Sequence, residues 1–302
     1  MARRAFQIAE IHPHKRGMTP FRSADCILMY HGTPERDGPR LARQLRAVAA
    51  FFDVVPLEQL GQRGAARRRK GRRRVALTFD DGLRSNVRVA YPLLCALGLP
   101  ATFFVCPGLI ERRSWLWNHE ARQRLYSLDG PALAAFAAAM GAPADVEDFV
   151  DWMKMLKLAE RRRVEDEIRA ATPRFAASAA QREEFDIAGW DELKRLDPRV
   201  VAIGSHTMTH PILTSLSPDQ REDELRESRA SLERELGRPV SAFCYPNGDL
   251  DEDTVTAARR HYGCAVTVEP RSLEGDVDPH RLPRFAAHPR GSLRLARSLA
   301  FG

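Results

Sequence analysis

No stretch of the 302 residues approaches the roughly 18 consecutive apolar positions that a membrane-crossing helix needs, so a helical membrane span is not expected. The first 21 residues are basic but hold no apolar run followed by a small-residue cleavage site. They do not read as a secretory signal, and residence in the cytoplasm, with the option of peripheral membrane association, is the expectation. Cysteine is sparse: five residues, an odd number and widely spaced, each beside apolar neighbours. Buried free thiols fit better than a disulfide framework, and the lack of any short Cys–Cys spacing argues against a cysteine-ligated metal. Repeats and low-complexity linkers are missing, apart from the alanine-rich stretch at 134–139. Charge is balanced everywhere but in one place. Arg67, Arg68, Arg69, Lys70, Arg72, Arg73 and Arg74 account for the whole net charge of +7. No aromatic residue interleaves with this run, so a nucleic-acid partner is not expected. A solvated loop ahead of a strand is the plain reading, and contact with anionic membrane headgroups or phosphates the alternative.

What is present suits a globular enzyme. A chain of 302 residues, 44% hydrophobic, can bury a core at the upper end of single-domain size. Short β-rich runs at 26–30, 75–79, 102–105, 200–203, 242–245 and 264–268 alternate with helical segments, which predicts an α/β fold with parallel strands. Helices are expected at 85–97, at 251–261 and after Ser217. At the last, Ser217 and Gln220 form a capping box, Pro218 takes the first turn and Gly237 ends the helix. The stretch at about 111–189 breaks the rhythm with helical periodicity at 131–140 and 149–171. The predicted organisation is an N-terminal extension (1–24) and one domain (25–302) with this helical insertion. Trp115, Trp117 and Trp152 in the insertion either pack its helices or stack on sugar.

Two groups of residues carry chemistry. The strand at 75–79 runs into Asp80, Asp81 and Gly82, placing two carboxylates at a strand's carboxyl end, where α/β folds keep their sites. Adjacent buried carboxylates repel unless a cation neutralises one. His206 and His210 follow the strand at 200–203. Their i, i+4 spacing predicts two imidazoles on one face of a helical turn, and with a carboxylate from another strand end they form a metal set with open positions.

With TFDDG at 78–82 and HTMTH at 206–210, in this order and each after a strand, the chain resembles the polysaccharide deacetylases, the NodB homology family or carbohydrate esterase family four. The likeness extends to 26–31, WDEL at 190–193, FCYPNG at 243–248 and 278–284, and does not cover the insertion. It implies a distorted (β/α) barrel of about seven parallel strands. It also implies hydrolysis of N-acetyl groups from an amino sugar, a polysaccharide or a glycan precursor, releasing acetate. Asp80 is then the general base. Asp81, His206 and His210 hold one divalent metal, zinc by preference, with Co2+, Ni2+ or Mn2+ as alternatives, which polarises the acetamide and lowers the pKa of water. The Asn247 backbone N–H becomes an oxyanion donor, Thr207 a buttress, and His31 and Tyr245 substrate contacts. Two departures stand out. Cys244 occupies the place of an arginine that orients the base, and Arg284 is the expected substitute. The histidine general acid has no clear counterpart, leaving His288 first and His280 second. The other readings are a related metal-dependent C–N hydrolase of a small amide or cyclic imide, and a catalytically weak saccharide binder.

Overall fold

The computed structural model describes residues 24–61 and 72–288. The expected extension up to residue 23, Arg67, Arg68, Arg69 and Lys70 of the basic run, and the chain beyond 288 lie outside the described residues. Eight strands form one sheet: β1 (Cys26–Tyr30), β2 (Asp53–Val54), β3 (Arg74–Phe79), β4 (Ala101–Val105), β5 (Val201–Ser205), β6 (Ala242–Cys244), β7 (Cys264–Val266) and β8 (Phe285–Ala286). The main path runs β7-β6-β5-β4-β3-β1-β8, with β2 beside β3, and every pairing is parallel. Helices α1 (Gly38–Phe51), α2 (Glu58–Gly61), α3 (Tyr91–Leu97) and α4 (Pro107–Arg112) follow the first strands, and α11 (Pro218–Leu236) and α12 (Glu252–His261) the later ones. The Ser217 capping box is formed as the sequence predicts, and Gly237 ends α11 in the left-handed conformation.

Strand alternation sorts the side chains into two layers. Leu28, Tyr30, Leu77, Phe79, Phe103, Phe243 and Tyr245 pack outward against Leu41, Leu94, Leu225 and Val255 of the helices. Ile27, Ala76, Phe104, Ala242, Cys244 and Val266 face inward and form a separate apolar cluster. The sheet curls so that one segment touches both of its edges. Leu282 bridges β7 through Val266, and Phe285 and Ala286 pair with β1. This closure makes the sheet the distorted NodB-type (β/α) barrel of seven parallel strands. It also points Arg284 into the barrel interior.

The insertion holds α5 (Trp117–Leu125), α6 (Gly130–Met140), α7 (Val146–Lys154), α8 (Leu158–Ala171) and α9 (Ala179–Phe185), after which α10 (Trp190–Lys194) returns to the barrel. Its core is its own, built on Trp117, Leu125, Phe149, Val150, Met153, Val164 and Ile168. The helix expected at 149–171 is two helices, because the chain turns at 155–157 and both faces then bury in that one cluster. The segment at 85–97 likewise departs from a plain helix and opens with a π turn over Asn86–Ala90. Pro92 has no N–H to complete the α-ladder there. Cys26, Cys106, Cys244 and Cys264 are buried free thiols, whereas Cys95 is exposed, contrary to expectation.

The described part of the basic run is tied to the protein. Arg72 donates to the Ala49 and Phe52 carbonyls at the end of α1 (2.6 and 2.8 Å), Arg73 lies over the Phe52 ring, and Arg74 pairs with Asp25 at 2.6 Å. These three guanidiniums serve the fold.

Candidate active site

On β3 the alternation that sends Phe79 outward sends Thr78 and Asp80 inward. Asp80 is buried and meets Arg284 in a two-pronged ion pair, Nη1 to Oδ1 and Nη2 to Oδ2, both 2.8 Å. Arg284 is fully buried. Its other bonds run to Thr78 Oγ1 (3.0 Å), the Thr267 carbonyl (2.7 Å) and Cys244 Sγ (3.1 Å). Burial alone would raise the Asp80 carboxyl, but the guanidinium outweighs it and holds the group below the usual carboxylate range. The same pairing raises Arg284 against the downward pull of its own burial. A buried pair of this kind persists because nearly every polar atom in it has a partner.

The next residue turns the chain. Asp81 adopts φ 72° ahead of Gly82 at φ 64°, where a Cβ would press on Val105 at 3.1 Å. The tight turn brings the buried Asp81 carboxylate against two imidazoles, His206 Nε2 at 3.6 Å and His210 Nε2 at 3.7 Å from Oδ1. These distances are too long for hydrogen bonds. They match the edge of a tetrahedral site, about 3.4 Å for ligand bonds of about 2.1 Å. Three donor atoms converging without touching are the arrangement a divalent cation fits. His210 is pushed down to about 3, by burial and then by His206, so its ring is neutral and its lone pair available.

The histidines do not share a helical turn as their spacing predicted. Residues 206–210 form a loop in which Thr207 and His210 have φ of 66° and 57°. Thr207 Oγ1 donates to the His206 carbonyl and accepts from the His210 N–H at 3.0 Å, so the hydroxyl joins the two. The Glu224 carboxylate on α11 accepts from the Met208 and Thr209 N–H groups at 2.8 and 2.9 Å, and His206 Nδ1 donates to the Cys244 carbonyl at 2.8 Å. From the insertion, the Trp117 indole donates to the His210 carbonyl at 3.1 Å. Gly108 allows the close approach of this loop, since a Cβ there would lie 2.7 Å from the Met208 carbonyl oxygen.

Asp80, His206 and Cys244 form a second group of convergent donors, although cysteine spacing pointed away from any thiol ligand. Arg284 already bonds both Asp80 and Cys244, so a cation there would have to displace a guanidinium. The Asp81 set is the better cation site.

The remaining expectations divide. His31, at the end of β1, is half exposed and its Nε2 stands 4.0 Å from Asp80 Oδ2. Asn247 lies in the loop after β6 at φ 59°, and its side chain is exposed and bonded to Asp249. His288 is exposed two residues beyond β8, at the barrel end where Asp80 lies. Tyr245 is not a substrate contact. Strand alternation turns it outward with Phe243, buried, its hydroxyl donating to the His280 carbonyl at 3.0 Å. His280 is not near the base either. It is buried by the amino end of β7, with Nε2 donating to the Tyr262 carbonyl at 2.7 Å. Trp117 and Trp152 pack in the insertion core rather than offering a sugar platform, and Trp115 is half-buried with its indole on Asp186 at 2.8 Å. Sequence reading missed Glu224 and His119. Glu224 is one of many acids on a charged helix, and His119 stands alone inside the insertion, so neither carried a spacing signal.

A profile described as polysaccharide deacetylase matches residues 67–263. Over 100 residues the chain is 28% identical to YxkH of Bacillus subtilis, which carries a provisional polysaccharide deacetylase name. That match covers 33% of this chain and 36% of the relative, so the chain spans about a third of the length of the curated protein it matches. Among solved structures, the Streptococcus pyogenes deacetylase PplD in complex with acetate aligns with a TM-score of 0.59 at 19% identity, covering 93% of this chain and 100% of that one. A polysaccharide deacetylase from Bacillus cereus gives 0.58 at 19% (92% and 69%), and IcaB from Ammonifex degensii 0.58 at 18% (92% and 97%). At such identities the likeness is one of fold.

Proposed function

Because the chain belongs to the polysaccharide deacetylase family, a family of amide hydrolases, we propose that it is a divalent-metal-dependent deacetylase releasing acetate from an N-acetylated amino sugar or glycan precursor. The observation that carries this reading is the division of labour between two adjacent buried carboxylates. Asp80 is ion-paired to Arg284 at 2.8 Å, while Asp81 converges with His206 and His210 at 3.6 and 3.7 Å. A divalent cation held by the latter three, zinc by expectation and cobalt, nickel or manganese otherwise, supplies Lewis acidity that acidifies water and polarises an amide carbonyl. Asp80 acts as general base. Kept ionised and oriented by Arg284, it accepts the proton of the attacking water. His31, whose Nε2 stands 4.0 Å from Asp80 Oδ2, is preferred to His288 as the acid that returns a proton to the departing amine. The C–N bond breaks, water supplies the new C–O bond, and the products are acetate and a free amine.

The test is acetate release from a panel of N-acetylated amino sugars and oligosaccharides, using metal-stripped protein with and without zinc beside Asp80→Asn. Zinc-dependent release that falls by about 10²- to 10⁴-fold in Asp80→Asn, with zinc binding retained, is the expected result. Stoichiometric zinc binding with no release from any member would sink the reading. A glycan precursor inside the cell is the substrate favoured here; recovery of the protein in culture medium would count against it.

A further inference from the structure

The mechanism above uses nothing from the insertion, yet the insertion reaches the site. His119 lies in the first turn of α5, two residues past Trp117, whose indole holds the His210 carbonyl at 3.1 Å. Its ring packs on Phe185 with centroids 4.8 Å apart. From Phe185 the chain runs beside the turn that follows Asp81: Arg84 N–H donates to the Asp186 carbonyl at 2.7 Å, Leu83 bridges Ile187, and Ala188 N–H donates to the Gly82 carbonyl at 2.9 Å. The imidazole is therefore held between two segments, each bonded to a loop that carries a proposed metal ligand.

Its hydrogen bonding is incomplete. Nδ1 is buried without a partner, and the ring makes no hydrogen bond within the described residues. A buried N–H without an acceptor is the costlier orphan, so the proton belongs on Nε2. His280 shows the completed form of this state: its Nδ1 is also buried and unpartnered, and its Nε2 donates to the Tyr262 carbonyl. His119 has the same donor, which meets no acceptor among the described residues and, unlike its Nδ1, is open to solvent. Burial holds the ring down to about 4, which keeps it neutral, and Asp81 is the foremost charge acting on it. Resting on the deacetylase reading, we propose that His119 is a substrate-positioning residue whose Nε2–H hydrogen-bonds the amino sugar beside its acetamide, so that the helical insertion takes part in choosing the saccharide.

The experiment combines kinetics with a binding titration in zinc-loaded protein, using an N-acetylglucosamine tetrasaccharide as probe. His119→Leu is expected to raise KM by about five- to tenfold with a smaller change in kcat, and His119→Gln, which keeps a donor, to recover part of the loss. In the Asp80→Asn background, His119→Leu is expected to weaken calorimetric binding of the tetrasaccharide by a similar factor, with zinc stoichiometry unchanged. Equal KM and equal binding with and without the His119 side chain overturn the proposal and leave the deacetylase reading standing. Loss of zinc in His119→Leu also overturns it, making the residue a metal ligand. Neither acetate release nor binding in the wild-type and Asp80→Asn proteins overturns the saccharide reading and this inference with it.

Discussion

Asp80 and Asp81 are neighbours in the chain and both are buried, yet their charges are answered by different means. Asp80 meets a guanidinium delivered by the segment that closes the barrel, so its charge is balanced by the protein itself. Asp81 meets imidazoles, of which His210 is held neutral, on a loop built from positive-φ residues and side-chain bonds to backbone. The first arrangement suits a group that must stay ionised and stationary while it accepts a proton. The second leaves a negative charge facing two imidazoles, one of them held neutral, which is an invitation to a dication. A chain with two adjacent carboxylates obtains two roles because strand alternation sends one inward and the αL turn at Asp81 sends the other sideways.

The comparison can be broken from the Asp80 side first. Arg284→Leu leaves a buried carboxylate without its partner and is expected to destabilise the fold by about 3–5 kcal/mol in denaturant titrations. The pH dependence follows from the sign of the shift. In the native protein Asp80 titrates below the usual carboxylate range, so its ionised form and its contribution to stability are present above the unfolded value of about 3.9 and are lost as pH falls through the folded one. Without the guanidinium, burial is opposed only by the weaker pull of His31 and His206, so the carboxyl rises and the acidic limb of kcat/KM moves to higher pH; an unmoved limb would remove Arg284 from the account of the base. On the Asp81 side, zinc at a hundredfold excess over its Kd is expected to stabilise metal-stripped protein by about 2.7 kcal/mol, read as a rise in Tm that a chelator reverses. His210→Ala should abolish that rise. Thr207→Val, which removes the hydroxyl joining the two histidines, is expected to weaken zinc binding by about 10- to 100-fold while Asp80's pH limb stays in place. The smallest effect is that of Trp117→Phe. Losing the indole bond to the His210 carbonyl should cost about 1 kcal/mol of stability and leave the barrel intact.

Much of the fold was legible because parallel strands buried on both faces read as short apolar runs, and capping residues such as Ser217 and Gly237 act locally. The elements misread were those where a nonlocal demand won. The helical turn expected for His206 and His210 gives way to a loop because Glu224, 14 residues beyond His210, satisfies the Met208 and Thr209 amides from another element. Tyr245 looked like a site residue from its place in a motif, but the strand period turns it into the helix-facing layer. His288 and His280 were named as candidates for a histidine acid that the family resemblance implied and no motif supplied. Only the path of the chain shows that His280 sits at the amino end of β7 and that His31 reaches the base.

By itself the sequence determined the alternation of strands and helices, the carboxylate pair at a strand end and the histidine pair after another, since each depends on residues within a few positions of one another. Tertiary structure alone decided that Arg284 answers Asp80 across 204 positions of chain and that Trp117 of the insertion holds the His210 carbonyl. Those contacts arise where the sheet curls until one segment touches both its edges and where a helical insertion folds back over the strand ends. Neither closure leaves a local pattern in the residues that make it.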